Sequence, residues 1–291
     1  MPNKIKIATE GELKIICEKE KQANENFGFA LKWIYKSQGW KGEKICKRIH
    51  GYKAKTWDAY AQPSHTKSRS LHAVAAFCWL SQISMSALYY GAQLEQLWLG
   101  FDTELVRIIA YSNALTKGQF ESLIQLFREK IKSLDNDVNK KVDDLLEKLH
   151  EYPDEKFLIP DTLNLDSFKR DYYGSIGYKL KELRVENKVA TEVMAHVIGV
   201  SVGRYVSFES PDDSTYIPLN LAMRLKFGLH YDNTTELLSR MSEFRGFYQA
   251  RYVQQLRESI VSLLLGKLSL SEKLIFSNLA KNVMIFHFKQ M

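Results

Sequence analysis

Apolar residues at Ile176, Leu180 and Leu183 recur at the spacing of one helical face, which predicts an amphipathic helix. A second helix is expected to start near Thr191, with the small Ala195 where two helices approach closely. Gly199 supplies a residue tolerant of positive φ at a tight turn, and Ser201 is placed to cap a third helix. Ser175–Tyr231 therefore has the pattern of a helix-turn-helix.

The pattern occurs twice. Gly28, Leu31 and Ile34 each precede Gly177, Leu180 and Leu183 by 149 positions, so a divergent second copy is expected in Phe27–Gly91. With one extra residue around His50, Ile45-Cys46 takes the place of Met194-Ala195, and Gly51-Tyr52 that of Gly199-Val200. Cys46 is then a small core residue rather than a reactive thiol. The third helix of this copy carries Lys53, Ala54, Lys55, Thr56, Asp58 and Ala59 outward, with Trp57 and Tyr60 inward. Leu71, Val74, Phe77, Leu80, Ile83 and Leu88 supply the period of two further helices.

Most of the remaining chain is also helical in pattern. Ile5–Asn26 reads as a short solvated helix. Leu94, Leu97 and Leu99, then Leu105, Ile108 and Ile109, then Phe120 to Leu134, continue the period, and Val138 to Leu149 follow at heptad-like steps, as a spacer or a dimer contact. Beyond Asn233 a helix runs through Phe244, Tyr252 and Leu264, followed by Gly266, a Ser271-capped helix and the apolar end Val283–Phe288. The expected organisation is an N-terminal helical arm (1–26), a first helix-turn-helix domain (27–91), a helical spacer (92–150), a linker with Pro153 and Pro160 (151–173), a second helix-turn-helix domain (174–232) and a C-terminal helical region suited to dimerisation (233–291). The fold class is all-α.

The run Val189–Ala195, the turn Ile198-Gly199-Val200-Ser201, and Tyr205, Phe208 and Glu209 together resemble the Cro/CI-repressor type of helix-turn-helix domain, the xenobiotic-response-element family, over roughly sixty residues. The resemblance implies a lambda-repressor-like fold in both copies and an ion pair between Glu209 and Arg184, 25 positions earlier. It also implies DNA contacts from Thr191, Ser201, Val202, Gly203, Arg204 and Ser207, and from Lys44, Lys53, Ala54, Lys55, Thr56 and Lys67 of the first copy. Departures from the family pattern are Thr191 in place of a glutamine, Asp212 and Asp213 in the loop after the third helix, and Tyr35 and Ala61 where the first copy would carry the ion pair.

Charge separates the copies. Phe27–Gly91 holds ten basic residues against Glu43 and Asp58, a net of +8, whereas Gly174–Asp232 holds seven of each sign. Since phosphate neutralisation dominates non-specific affinity, the first copy is expected to lead in DNA binding. All five tryptophans fall in the first hundred residues. Trp33, Trp57 and Trp79 are expected in the core and Trp40 half exposed.

Catalytic motifs are missing: no phosphate-cradling glycine loop, no CxxC pair and no His-Glu-x-x-His occur, and the seven histidines are scattered. Cys46 and His50, four apart on one helix face, are two ligands without a further pair, too few for a metal. Three well-separated cysteines, no apolar run of about 18 residues and no apolar signal core at the N-terminus favour a cytoplasmic protein, nucleoid-associated in a bacterium if DNA is bound. The sequence thus predicts a non-enzymatic, cofactor-free and metal-free, sequence-specific double-stranded DNA-binding transcriptional regulator, with a second copy of itself as partner and no membrane association. The alternative is a protein-interaction or antitoxin-like subunit in which a helix-turn-helix copy is a docking surface. An architectural DNA binder without sequence choice is the third reading.

Overall fold

Few prolines and many apolar residues at three- and four-residue steps leave the backbone little choice but helix. The computed structural model describes residues 4–38, 41–65, 67–92, 94–98, 100–131, 134–154, 158–212 and 214–288. Among these the chain is all-α. The helices are α1 (Glu10–Gln38), α2 (Gly42–Arg48), α3 (Ala54–Tyr60), α4 (Leu71–Leu80), α5 (Thr103–Asn113), α6 (Lys117–Lys130), α7 (Asn136–His150), α8 (Leu165–Glu186), α9 (Thr191–Ile198), α10 (Val202–Glu209), α11 (Asn220–Gly228), α12 (Arg245–Leu265) and α13 (Leu270–Phe288). Two dipeptide strands, β1 (Ile49–His50) and β2 (Leu163–Asn164), pair in parallel.

The chain divides into two compact units, and the divisions fall elsewhere than the sequence pattern placed them. One unit comprises the residues up to Phe77 with Asp161–Tyr248; the other comprises Cys78–Pro160 with Gln249 onward. The second helix-turn-helix stretch and the first as far as Phe77 therefore lie in the first unit, and the end of the first stretch, from Cys78, falls in the other. The expected solvated arm is instead the first half of α1, a single helix of 29 residues. Its Leu13, Ile16 and Ala23 are buried, because α1 packs on α11. Ala8 N–H donates to Gly228 O at 2.9 Å, and Glu20 holds Asn220 and Arg224 through its two carboxylate oxygens. The expected linker contains β2 and the first residues of α8, and the hydrogen bond from Arg48 Nε to Asp161 O (3.2 Å) ties its middle down.

Within this unit the two copies meet at one crossing. Leu71 N–H donates to Ile217 O at 3.0 Å, and Leu219 N–H donates to Arg69 O at 2.8 Å. Leu71 and Leu219 stand 148 positions apart, as do Arg69 and Ile217, so each bond is the other with the copies exchanged. Ser70 and Pro218, also 148 apart, face each other between them as an antiparallel bridge. The same separation relates Gly51 to Gly199, Trp57 to Tyr205 and Tyr60 to Phe208. A local two-fold relation thus joins the copies through the segments that lead into α4 and α11.

The spacer stretch 92–150 lies in the second unit together with the chain from Gln249 onward. The described residues between 92 and 102 form turns rather than the expected helix, Leu99 lies outside the described residues, and α5 packs against α13. Asp102 caps α5 by accepting Leu105 N–H (2.9 Å), and its other oxygen accepts from the buried Lys273 Nζ at 2.5 Å. Arg257, also buried, donates to Leu115 O (2.9 Å) and lies over the Phe120 ring. The cap of α13 is Ser269, not Ser271: its hydroxyl accepts from Glu272 N–H, and Glu272 answers by accepting Ser269 N–H at 2.8 Å. Of the apolar end, Met284 is buried while Phe286 is exposed.

Candidate nucleic-acid interface

In the second copy, α9 buries Met194, Ala195, Val197 and Ile198 and stops at Gly199, whose φ of +75° is left-handed. Gly199 N–H and Val200 N–H both return to Ala195 O (2.9 and 3.0 Å), closing the helix end. A side chain at Gly199 would meet the Arg224 guanidinium, so only glycine fits this turn without strain. Ser201 Oγ then accepts Arg204 N–H at 3.2 Å and starts α10. Tyr205 and Phe208 face the core. Ser201, Val202, Gly203 and Arg204 are exposed, and Ser207 and Thr191 are half-buried.

Arg184 and Glu209 form a bidentate pair, Nε to Oε1 at 2.6 Å and Nη2 to Oε2 at 2.8 Å, which clamps α8 to the end of α10. The carboxylate hydrogen bonds hold the Arg184 guanidinium well above its usual value. Burial alone would raise Glu209, but the hydrogen bonds and charge of Arg184 outweigh it and keep that carboxyl low. Arg204 is itself engaged: it hydrogen-bonds Tyr216 O and lies over the Phe208 ring at 5.1 Å. Asp212 is tied up locally, accepting from Ser214 and Thr215, while Asp213 lies outside the described residues.

The first copy reaches a similar geometry by other contacts. Ile45 and Ile49 are buried, Gly51 takes φ +100°, and α3 starts after Lys53 with Trp57 and Tyr60 inward. The Tyr35 hydroxyl donates to Trp57 O (3.3 Å), linking the first helix to α3 where the second copy uses the ion pair. Asp58, outward and exposed as expected, also accepts Gly42 N–H at 3.1 Å and so caps α2. Cys46 Sγ donates to Tyr52 O (3.0 Å), and burial together with Asp58 raises its pKa, as befits an inert thiol. His50 does not share a helix face with Cys46, because α2 ends at Arg48 and His50 lies in β1. Trp33 is only half-buried, and Trp40 lies outside the described residues.

Lys44, Lys53, Lys55 and Lys67 are exposed, and Ala54 and Thr56 half-buried. Arg69, counted within the basic excess, is withdrawn from the surface. It is fully buried and donates to Tyr60 O (2.8 Å), Asn24 O (2.6 Å) and Gln62 O (3.0 Å), stitching the end of α3 to α1. Burial lowers its pKa to about 10. Its role was hidden in the sequence because its acceptors are backbone carbonyls, which no side-chain pattern marks.

The glycines of the repeat explain the shared offset. A Cβ on Gly28 would lie 2.7 Å from Gln62 O and Pro63 Cα; one on Gly177 would lie 2.5 Å from Phe208 O and 2.6 Å from Pro211 Cδ. In both copies the first helix touches the chain just as it leaves the third.

No family model, no curated protein and no solved structure matches this chain. Among the described residues no helix is long and apolar enough to cross a membrane, and no three His, Cys, Asp or Glu side chains are grouped to hold a metal ion.

Proposed function

We propose that the protein is a sequence-specific double-stranded DNA-binding transcriptional regulator whose affinity is led by the first copy. The carrying observation is the exposed N-terminal edge of α3, where Lys53 and Lys55 stand together at the first turn of a short helix held by Trp57, Tyr60 and Arg69. A helix end of this kind fits the major groove, lysines meeting phosphate or guanine edges. Lys44 on α2 and Lys67 on the loop add positive charge, each phosphate contact steepening the log–log salt dependence by about 0.9. The α10 edge contributes less: Arg204, its one charge, is already bonded to Tyr216 O.

Binding of fragments selected from a genomic DNA pool tests this. Lys53→Ala/Lys55→Ala is expected to weaken binding about 100-fold and to flatten the salt slope by close to two, while Arg204→Ala costs less than about tenfold. Equal losses, or a larger loss from Arg204→Ala, would contradict the assignment.

One observation favours a second reading, the protein-docking subunit. Val202 and Val206, one turn apart on α10, are 40% and 48% exposed, an apolar pair where a DNA reader usually carries polar groups. Enrichment of no sequence at any salt would favour it.

A further inference from the structure

We infer that a single chain reads one duplex through two unlike half-sites, the two copies serving as the halves of an internal dimer. The inference rests on the DNA-binding reading above and deepens it by naming the form of the site. Its basis is the crossing at Ser70 and Pro218, where the bonds Leu71 N–H to Ile217 O and Leu219 N–H to Arg69 O exchange with the copies.

Both third helices are anchored to that crossing. On the α3 side, the Tyr60 hydroxyl accepts Ser70 N–H at 3.1 Å. On the α10 side, Arg204 bonds Tyr216 O, and the Tyr216 hydroxyl donates to Ser68 O of the first copy at 2.9 Å. The first helices interlock as well. The N-terminal half of α1 packs on α11 of the second copy. Tyr173 at the N-terminal half of α8 bonds His72 of α4 at 3.0 Å, and β2, just before α8, pairs with β1 of the first copy. Two helix-turn-helix units held about a two-fold are the arrangement that meets successive major-groove faces of a duplex, about one helical turn apart.

The halves differ in chemistry, so the site is not a palindrome. The α3 edge offers Lys53, Lys55 and Thr56, suited to phosphate and guanine. The α10 edge offers Ser201, Val202 and Gly203, suited to close approach and to thymine methyl groups. The exposed Lys67, next to Ser68 at the crossing, adds charge between the halves.

The test uses the intact chain and the duplex it enriches best. Native mass spectrometry is expected to give one chain per duplex, and hydroxyl-radical footprinting two protected patches of unlike sequence about 10 base pairs apart. Lys53→Ala/Lys55→Ala should erase one patch and Val202→Glu, at an exposed position, the other, each with an unchanged melting curve. Inserting five base pairs between the patches should lower affinity by at least about 100-fold, the advantage lost when two sites cannot be engaged together. Two chains on two identical half-sites, or one patch indifferent to the insertion, would overturn the inference while leaving DNA binding intact. No retained duplex at any salt would overturn both.

Discussion

His72 illustrates how much one side chain can contribute through what it cannot do. Its Nδ1 lies 3.0 Å from the Tyr173 hydroxyl, which also donates to Ile217 O (3.1 Å) and accepts Ile217 N–H (3.2 Å). A hydroxyl has one proton and two lone pairs, so the imidazole must donate here, and its neutral form carries the proton on Nδ1. Burial, reinforced by the charge of Lys169, lowers the His72 pKa to about 3, against about 6.5 in an unfolded chain. With the folded value the lower one, the unfolded chain binds the extra proton between those limits, so stability is complete above about pH 6.5 and declines as pH falls towards 3. His72→Gln should remove up to about 1.4 kcal/mol per pH unit of that slope. Urea titrations of both proteins from pH 7 to pH 4 decide the matter, and parallel stability curves would refute it. The histidine gave no signal in the sequence, since its partner Tyr173 is 101 positions away. Arg184 and Glu209 were legible because a family resemblance relates them, and Arg69 was not because its partners are carbonyls.

Helices announce themselves through local chemistry and hide what depends on distant partners. The α9 turn and the start of α10 could be read from Gly199 and Ser201, since a left-handed residue and a cap act within four positions. The length of α1 could not, because what buries Leu13 and Ile16 is α11, some two hundred residues on. The sequence pattern put the cap at Ser271, whereas the glutamate three residues beyond Ser269, Glu272, makes Ser269 the cap. Glycines separate by the same logic. Gly177 faces Phe208 O so closely that Gly177→Ala must displace backbone, at a cost of about 1–3 kcal/mol. Gly203, in α10, has open space around it, so Gly203→Ala should stabilise by up to about 1 kcal/mol. Thermal melts of the two variants should move in opposite directions, and shifts of the same sign would defeat the comparison.

The whole molecule is divided by contacts that run against chain order, which explains why domain boundaries were the least readable feature. Segments 78–160 and 249–291 share a unit through pairs such as Lys273 with Asp102 and Glu258 with Ser86, more than 170 positions apart. Neither helix-turn-helix copy is self-sufficient. A fragment 27–91 loses the Asn24 carbonyl that Arg69 needs and the strand that covers Ile49. A fragment 174–232 begins just after Tyr173 and bares the α11 face that α1 covers. Each fragment alone is expected to lack a cooperative melting transition by circular dichroism; a sharp two-state melt from either would contradict this account.

The crossing at Ser70 and Pro218 has a consequence for any activity the two copies share. Partners on separate polypeptides part company on dilution, and their joint activity rises with a power of their concentration. Here the two halves are covalently one, so their pairing survives at any dilution. Being encoded separately, they can also diverge: a substitution in one half leaves the other untouched, a freedom that no pair of identical subunits possesses.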